Sequence, residues 1–184
     1  MSSFLKRPQV ILSLCDGSGA WSEPYVDADY DVRCYDLARG DDVRLLQCLR
    51  PVHGILAAPP CTMFAKSGNR WLRSDDDLRD GLAVVDACLR IVFACQPKWW
   101  CLENPPGKLT RYLGPPCLTF QPNEYGDDYT KQTNLWGVFT PPARSPVPAL
   151  AGSKMHVIPD SSDQAARRSV TPSHFARAFF EANP

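Results

Sequence analysis

An α/β fold with a doubly wound, mostly parallel sheet is predicted by three features of this 184-residue sequence. Short apolar runs rich in Val, Ile and Leu alternate with helix-compatible segments, the pattern of strands joined by crossovers. The early runs end at aspartate, glycine or proline, residues that turn a chain out of a sheet. One segment, 75–96, keeps a helical period throughout.

The elements follow in order. "QVILSLCDGSGAWSE" is a β-branched and leucine-rich strand that stops at Asp16 and passes through Gly17, Ser18 and Gly19 into helix-compatible chain. "YDVRCYDLARGDDVRLLQCLRP" repeats the plan, with a strand ending near Asp36, a turn around Gly40 and a helix from about Val43 that stops before Pro51. "VHGILAAPP" supplies the third strand. Asp75 to Gln96 is the best helix, because Leu78, Leu82, Val85, Leu89, Val92 and Phe93 share one face. Ser74 is its N-cap, Asp77 completes a capping box, and Pro97 marks its end. "KWWCLENPPG" reads as a buried strand ending at Glu103, with Trp99 and Trp100 as packing residues.

From about 105 to 168 the chain turns rich in proline, glycine and aromatics, with one strand-like piece at "KQTNLWGVF" and a polar excursion over 151–168. A final amphipathic helix spans about 171–182, with Thr171 as its cap and Pro172 at its first position. The expectation is a single domain over 1–184.

Composition excludes several classes. Twenty basic and 20 acidic side chains leave a formal net charge of zero, so nucleic-acid binding would rest on a local patch. No apolar run approaches the ~20 residues of a membrane span, and "MSSFLKRPQV" lacks the apolar segment of a leader, so a cytoplasmic protein is expected. Eight cysteines and three histidines show no metal-ligand spacing, and no metal is expected. Most of the thiols read as small apolar fillers, Cys88 and Cys95 within the long helix above all.

In a parallel α/β sheet, ligands bind at the carboxyl ends of the strands, where the unusual residues of this sequence collect. Gly17 and Gly19 would let backbone approach a ligand, and Asp36 could take a ribose diol. The turn is shorter than a dinucleotide signature, which suits a smaller adenosine ligand. Asp41 and Asp42 have two readings, as acceptors for an adenine amino group or as acids satisfying a helix N-terminus. Trp21 follows the glycine turn and could cover the adenosine. Cys61 sits beyond its apolar run on a turn stiffened by Pro59 and Pro60, presented rather than packed. Glu103 is followed by Asn104 and two prolines, which aim it out of the sheet, and Lys66, Arg70 and Arg73 are well placed to contact phosphate. A thiol nucleophile needs a lowered pKa or a partner acid.

"SLCDGSGAWSEPY", "APPCTMFAKSG", "WWCLENPPG" and "RRSVTPSHFARAFF" resemble, in this order, four signature blocks of the DNA (cytosine-5)-methyltransferases. "EYGDDYTKQTNLWG" resembles a block of small phage-encoded members. The resemblance covers roughly 8–137 and 167–180. It implies a Rossmann-like methyltransferase fold, S-adenosyl-L-methionine as cofactor held by Asp16 to Gly19, Trp21, Asp36, Asp42 and Pro59, and methylation of cytosine at C5. Cys61 would add to C6, Glu103 would hold N3 and the exocyclic amine, and Pro60, Thr62, Lys66, Arg70, Asn104 and Thr133 would line the substrate side. A base in duplex DNA would be flipped out to reach this pocket.

The sequence departs from the family in places. Thr62 replaces the usual glutamine, Pro105 the usual valine and Arg168 the usual asparagine. The arginine-rich strand block is missing, with Lys131 and Thr133 as its substitutes. Only about thirty residues separate Trp136 from Arg167, where family members carry a target-recognition domain. DNA of low specificity, a recognition partner protein, or a free cytosine nucleotide as substrate would each accommodate that gap. Two rivals stand beside this reading. One is an amino-methyltransferase, for which Asn104-Pro105-Pro106 lacks a following aromatic to stack on the base. The other is a non-catalytic binding protein on the same fold, against which the retained Cys61 and Glu103 count.

Overall fold

The structure is a computed structural model that describes residues 8–47, 51–65, 74–153 and 169–184. Its described strands build a six-stranded sheet in the order β2-β1-β3-β4-β7-β5. Strands β1 (Val10–Leu14), β2 (Asp31–Tyr35), β3 (Gly54–Ala57) and β4 (Trp99–Asn104) run parallel, as their apolar runs and intervening segments predict. Strand β7 (Thr133–Val138) pairs antiparallel with β4, and β5 (Leu118–Phe120) pairs antiparallel with β7. A separate two-stranded ribbon joins β6 (Tyr129–Thr130) to β8 (Gly152–Ser153).

Register gathers the strand ends. Leu14 pairs with both Tyr35 and Ala57, and Ala57 with Leu102. One residue later Cys15, Asp36 and Ala58 therefore leave the sheet at the level of Glu103, which still pairs with Leu135. Because β7 runs the other way, with Asn134 opposite Asn104, its entry rather than its exit lies at this same edge. Lys131 and Thr133 arrive there by that reversal.

Side chains alternate between two faces, so the sheet is covered on both sides. Leu12, Leu14, Ile55, Ala57, Leu102 and Trp136 face helix α2 (Asp75–Cys95), with Trp100 packed at the margin of that aliphatic core. Ile11, Leu56, Trp99, Cys101 and Leu135 face the other way, into an aromatic cluster of Trp21, Tyr25, Phe120, Phe175 and Phe179. Helices α1 (Glu23–Asp27) and α4 (Ser173–Ala182) carry that second layer. A short helix, α3 (Thr110–Leu113), follows β4.

Helix α2 has the cap its sequence predicts. The Asp77 amide donates to Ser74 Oγ at 3.1 Å and the Ser74 amide donates to Asp77 Oδ2 at 3.0 Å. Gln96 closes the helix in the left-handed conformation, with Pro97 behind it. Its buried stripe passes through Val85, Cys88, Ile91 and Cys95, so the thiols sit at the centre of the packing face. Leu78, Leu82, Leu89 and Val92 flank them, but Phe93 falls off the rim of that stripe and is 81% exposed.

Three further expectations are corrected. The helix from Val43 is absent from the described part of that segment, where Leu37–Arg39 forms a 3₁₀ turn and 43–45 an irregular turn. Buried Val43 anchors this turn to the α2 core, and tertiary packing overrides helix propensity there. Thr171 does not cap α4: Pro172 occupies the N-cap with extended backbone and no side-chain cap bond, so the helix starts at Ser173. The segment after residue 105 holds more regular structure than one strand, since α3, β5, β6 and a 3₁₀ turn at Pro122–Glu124 precede β7. No helix of the described residues is long and apolar enough to cross a membrane.

Candidate active site

The turn after β1 is organised by one carboxylate. Asp16 is 6% exposed and accepts hydrogen bonds from Ser18 Oγ at 2.9 Å, the Gly19 amide at 3.0 Å, the Trp21 amide at 3.3 Å and Ser13 Oγ at 3.4 Å. Gly19 takes φ 72°, a region that favours glycine because it has no Cβ. A Cβ on Gly17 would lie 3.5 Å from both carboxylate oxygens of Asp36, so the glycine turn passes directly over the end of β2. Asp36 Oδ1 accepts from the Ala38 amide at 2.8 Å, which fixes the carboxylate beside that turn. Backbone that close to a fixed acid is a cradle suited to a ribose diol.

Trp21 is fully buried in the aromatic cluster, edge-on to Phe179 at 5.6 Å between ring centroids. Asp42, half-buried, is held by its neighbour: Arg44 Nη2 donates to Oδ2 at 2.7 Å, Nε to Oδ1 at 2.9 Å, and the Arg44 amide to Oδ1 at 2.9 Å. Those bonds from Arg44 hold the Asp42 carboxyl below its usual range.

Cys61 follows Pro59 and Pro60 and is partly buried. The Phe64 and Ala65 amides donate to its carbonyl at 2.9 and 2.8 Å, curling the chain into a tight turn. Phe64 is fully buried beneath that turn, and the Lys108 amide donates to the Phe64 carbonyl at 2.7 Å. A side chain at Gly107 would collide with that carbonyl, so glycine is required for the Cys61 turn to dock on the chain after β4. Asn104, also fully buried, donates from Nδ2 to the Pro59 carbonyl at 2.9 Å. The turn carrying Cys61 and the end of the strand carrying Glu103 are thus tied together. Pro60 and Thr62 are exposed beside the thiol.

Glu103, Lys131 and Thr133 line one cleft with Thr171, walled by the rings of Trp21, Phe120 and Phe175. Thr133 Oγ1 donates to the Lys131 carbonyl at 3.1 Å and Lys131 Nζ to the Val170 carbonyl at 3.4 Å, so the ammonium bridges the entry of β7 and the approach to α4. Burial pushes the Cys61 thiol up, the Glu103 charge raises it further, and Lys131 pulls it back. Glu103 is itself raised, by burial first and by Asp16 to a smaller degree, again opposed by Lys131. Cys61 thus senses the charge of both Glu103 and Lys131.

No protein-family profile and no curated protein matches the chain. Among solved structures, the chain is similar to the crystal structure of a candidate DNA modification methyltransferase encoded within an E. coli prophage. The TM-score is 0.55 at 18% identity, over 83% of this chain and 56% of the other, so the chain spans little more than half of that structure. The fold is a Rossmann-like methyltransferase fold.

On this fold the expected residues divide into groups. Asp16 to Gly19 and Asp36 meet at one end of the carboxyl edge; Pro59, Pro60, Cys61, Thr62, Glu103 and Asn104 lie along it, with Lys131 and Thr133 beyond. Lys66 and Arg70, with Arg73, Arg167 and Arg168, fall outside the described residues. Among the described residues no group of three His, Cys, Asp or Glu side chains could hold a metal ion. Phe120 was not anticipated at the site, and neither was Thr171 as a wall of the cleft. The "SVTPSHF" block signalled Thr171 by its resemblance, whereas Phe120 carried no local signal.

Proposed function

We propose that this chain is an S-adenosylmethionine-dependent cytosine C5-methyltransferase acting on DNA through a covalent Cys61 adduct at C6. The observation that carries this reading is that Glu103 and Lys131 line one cleft at the carboxyl edge and both act electrostatically on the Cys61 thiol. The turn of Gly17 to Gly19 with Asp36 fits the cofactor's ribose, and Asp42 its adenine amino group. When bound, the cofactor supplies a methyl group on a positively charged sulfur, an electrophile for an electron-rich carbon.

The protein's own residues have four tasks. Cytosine C5 becomes electron-rich when the Cys61 thiolate adds to C6 while a proton reaches N3. Glu103, raised by burial, keeps a carboxyl proton to higher pH than an exposed glutamate and is suited to donate it to N3. A protonated Glu103 also stops repelling the thiolate, since the Glu103 charge raises the Cys61 thiol. Lys131 favours the thiolate at Cys61. Asn104 holds the Pro59 carbonyl and so keeps the thiol in register with Glu103. Once C5 carries the methyl group, loss of the C5 proton to water with β-elimination releases the Cys61 thiolate, and the N3 proton returns to Glu103.

A free cytosine nucleotide is the second reading, favoured by the short connection from β7 to the approach of α4 and by the zero net charge. Transfer of labelled methyl from S-adenosylmethionine, run on duplex DNA, single-stranded DNA and cytosine nucleotides with Cys61→Ala as control, decides between them. Cys61-dependent label in DNA supports the first reading, and label confined to nucleotides supports the second. No label on any substrate, with S-adenosylmethionine still bound, points to a non-catalytic protein.

A further inference from the structure

The irregular turn after Gly40 replaces an expected helix, and its carbonyls therefore need other donors. A side chain from a distant element supplies them. Arg90, on α2, donates from Nη2 to the Leu46 carbonyl at 3.0 Å and to the Val43 and Arg44 carbonyls at 3.3 Å each. One guanidinium thus converges on three backbone oxygens within four residues. The same turn is held from below by buried Val43 and from its own start by Asp42, whose carboxylate accepts from the Arg44 amide and guanidinium.

We infer that Arg90 is a positioning residue for cofactor binding, fixing the Asp42 to Leu46 turn so that the Asp42 carboxylate is aimed at the exocyclic amine of an adenine. This rests on the cofactor reading given above. The geometry is specific to that role in one respect. Among the described residues the side-chain hydrogen bonds of Arg90 go only to main-chain oxygens of the turn, so its loss leaves the Asp42–Arg44 pair intact while freeing the backbone that carries it. A loosened turn must pay an ordering entropy when ligand binds, which weakens affinity without removing a contact atom. A lysine ammonium has three N–H groups and can serve the same oxygens, whereas methionine keeps the bulk and loses every donor.

The test is calorimetric titration of the full chain with S-adenosyl-L-homocysteine and with S-inosyl-L-homocysteine, in which a carbonyl replaces the adenine amino group. Arg90→Met is expected to weaken the adenosyl ligand about tenfold, the scale of one or two lost hydrogen bonds to a partly exposed loop, and the inosyl ligand by less than about twofold. Arg90→Lys is expected to stay within about threefold of wild type for both. Equal weakening of the two ligands by Arg90→Met would make Arg90 a general structural residue and overturn the inference, as would unchanged affinity for the adenosyl ligand. If wild type binds neither ligand, the cofactor reading itself falls and takes the inference with it.

Discussion

Two carboxylates close two parallel strands at the same edge of the sheet, and they are used in opposite ways. Asp16, at the end of β1, accepts from two backbone amides and two hydroxyls, so its acceptor sites are spent on its own turn. The Glu103 carboxylate, at the end of β4, takes no hydrogen bond from a described residue and lines the cleft, with Lys131 as its electrostatic partner. Satisfaction by local donors makes a buried acid structural. Burial without such donors leaves it to titrate, and that is the condition a proton-donating acid requires.

The strongest test of this contrast bears on Cys61, whose thiol the Glu103 charge raises. Cys61→Ala is expected to lower methyl transfer by roughly a thousandfold or more, and to abolish the adduct that mass spectrometry would detect with DNA carrying 5-fluorocytosine. An adduct that persists would remove Cys61, and with it the partner that gives Glu103 its task.

Glu103→Gln comes next. It should cut turnover by about a hundredfold to a thousandfold while leaving S-adenosyl-L-homocysteine affinity near wild type. Stability should move the other way. Because the folded-state pKa of Glu103 is raised, its contribution to stability is full at acid pH and is lost as pH rises through that value. The glutamine variant has no such loss, so its melting temperature should exceed wild type above neutral pH and approach it in acid. A thermal profile in which wild type is the more stable at alkaline pH would mean that Glu103 is satisfied like Asp16.

Asp16→Asn should do the reverse of Glu103→Gln. It turns one acceptor oxygen into a donor that faces other donors, at a cost of about 2 kcal/mol in chemical denaturation, with cofactor affinity falling as the turn loosens. Loss of affinity with no loss of stability would show that Asp16 serves the ligand directly. Lys131→Met is the smallest change. It removes the charge that lowers both Cys61 and Glu103, so iodoacetamide alkylation of Cys61 should move to higher pH, by up to about one unit. An unmoved alkylation profile would detach Lys131 from the pair.

Much of this arrangement was legible from local sequence. Val10 to Leu14 ends in Asp16 and two glycines, and such a turn forms from neighbours alone. Ser74 and Asp77 cap α2 through bonds three residues apart, which any reader of the sequence can place. Cys61 after two prolines and Glu103 before two prolines are put at strand ends by rules of the same short range. Phe93 and Thr171 misled because exposure and capping depend on what lies across the gap. In α2 the packing stripe is centred on Cys88 and Ile91, a choice made by the sheet beneath it.

By itself the sequence determined the parallel strands, the capped helix and the two strand ends that carry the thiol and the acid, since each rests on interactions between residues close along the chain. Tertiary structure decided that β7 enters antiparallel and brings Lys131 to Glu103 and Cys61. It also decided that Trp21 is buried against Phe179, and that Arg90 holds a turn more than forty residues away in sequence. Those outcomes depend on register, burial and charge between segments far apart in the chain, and such quantities exist only once the sheet has closed.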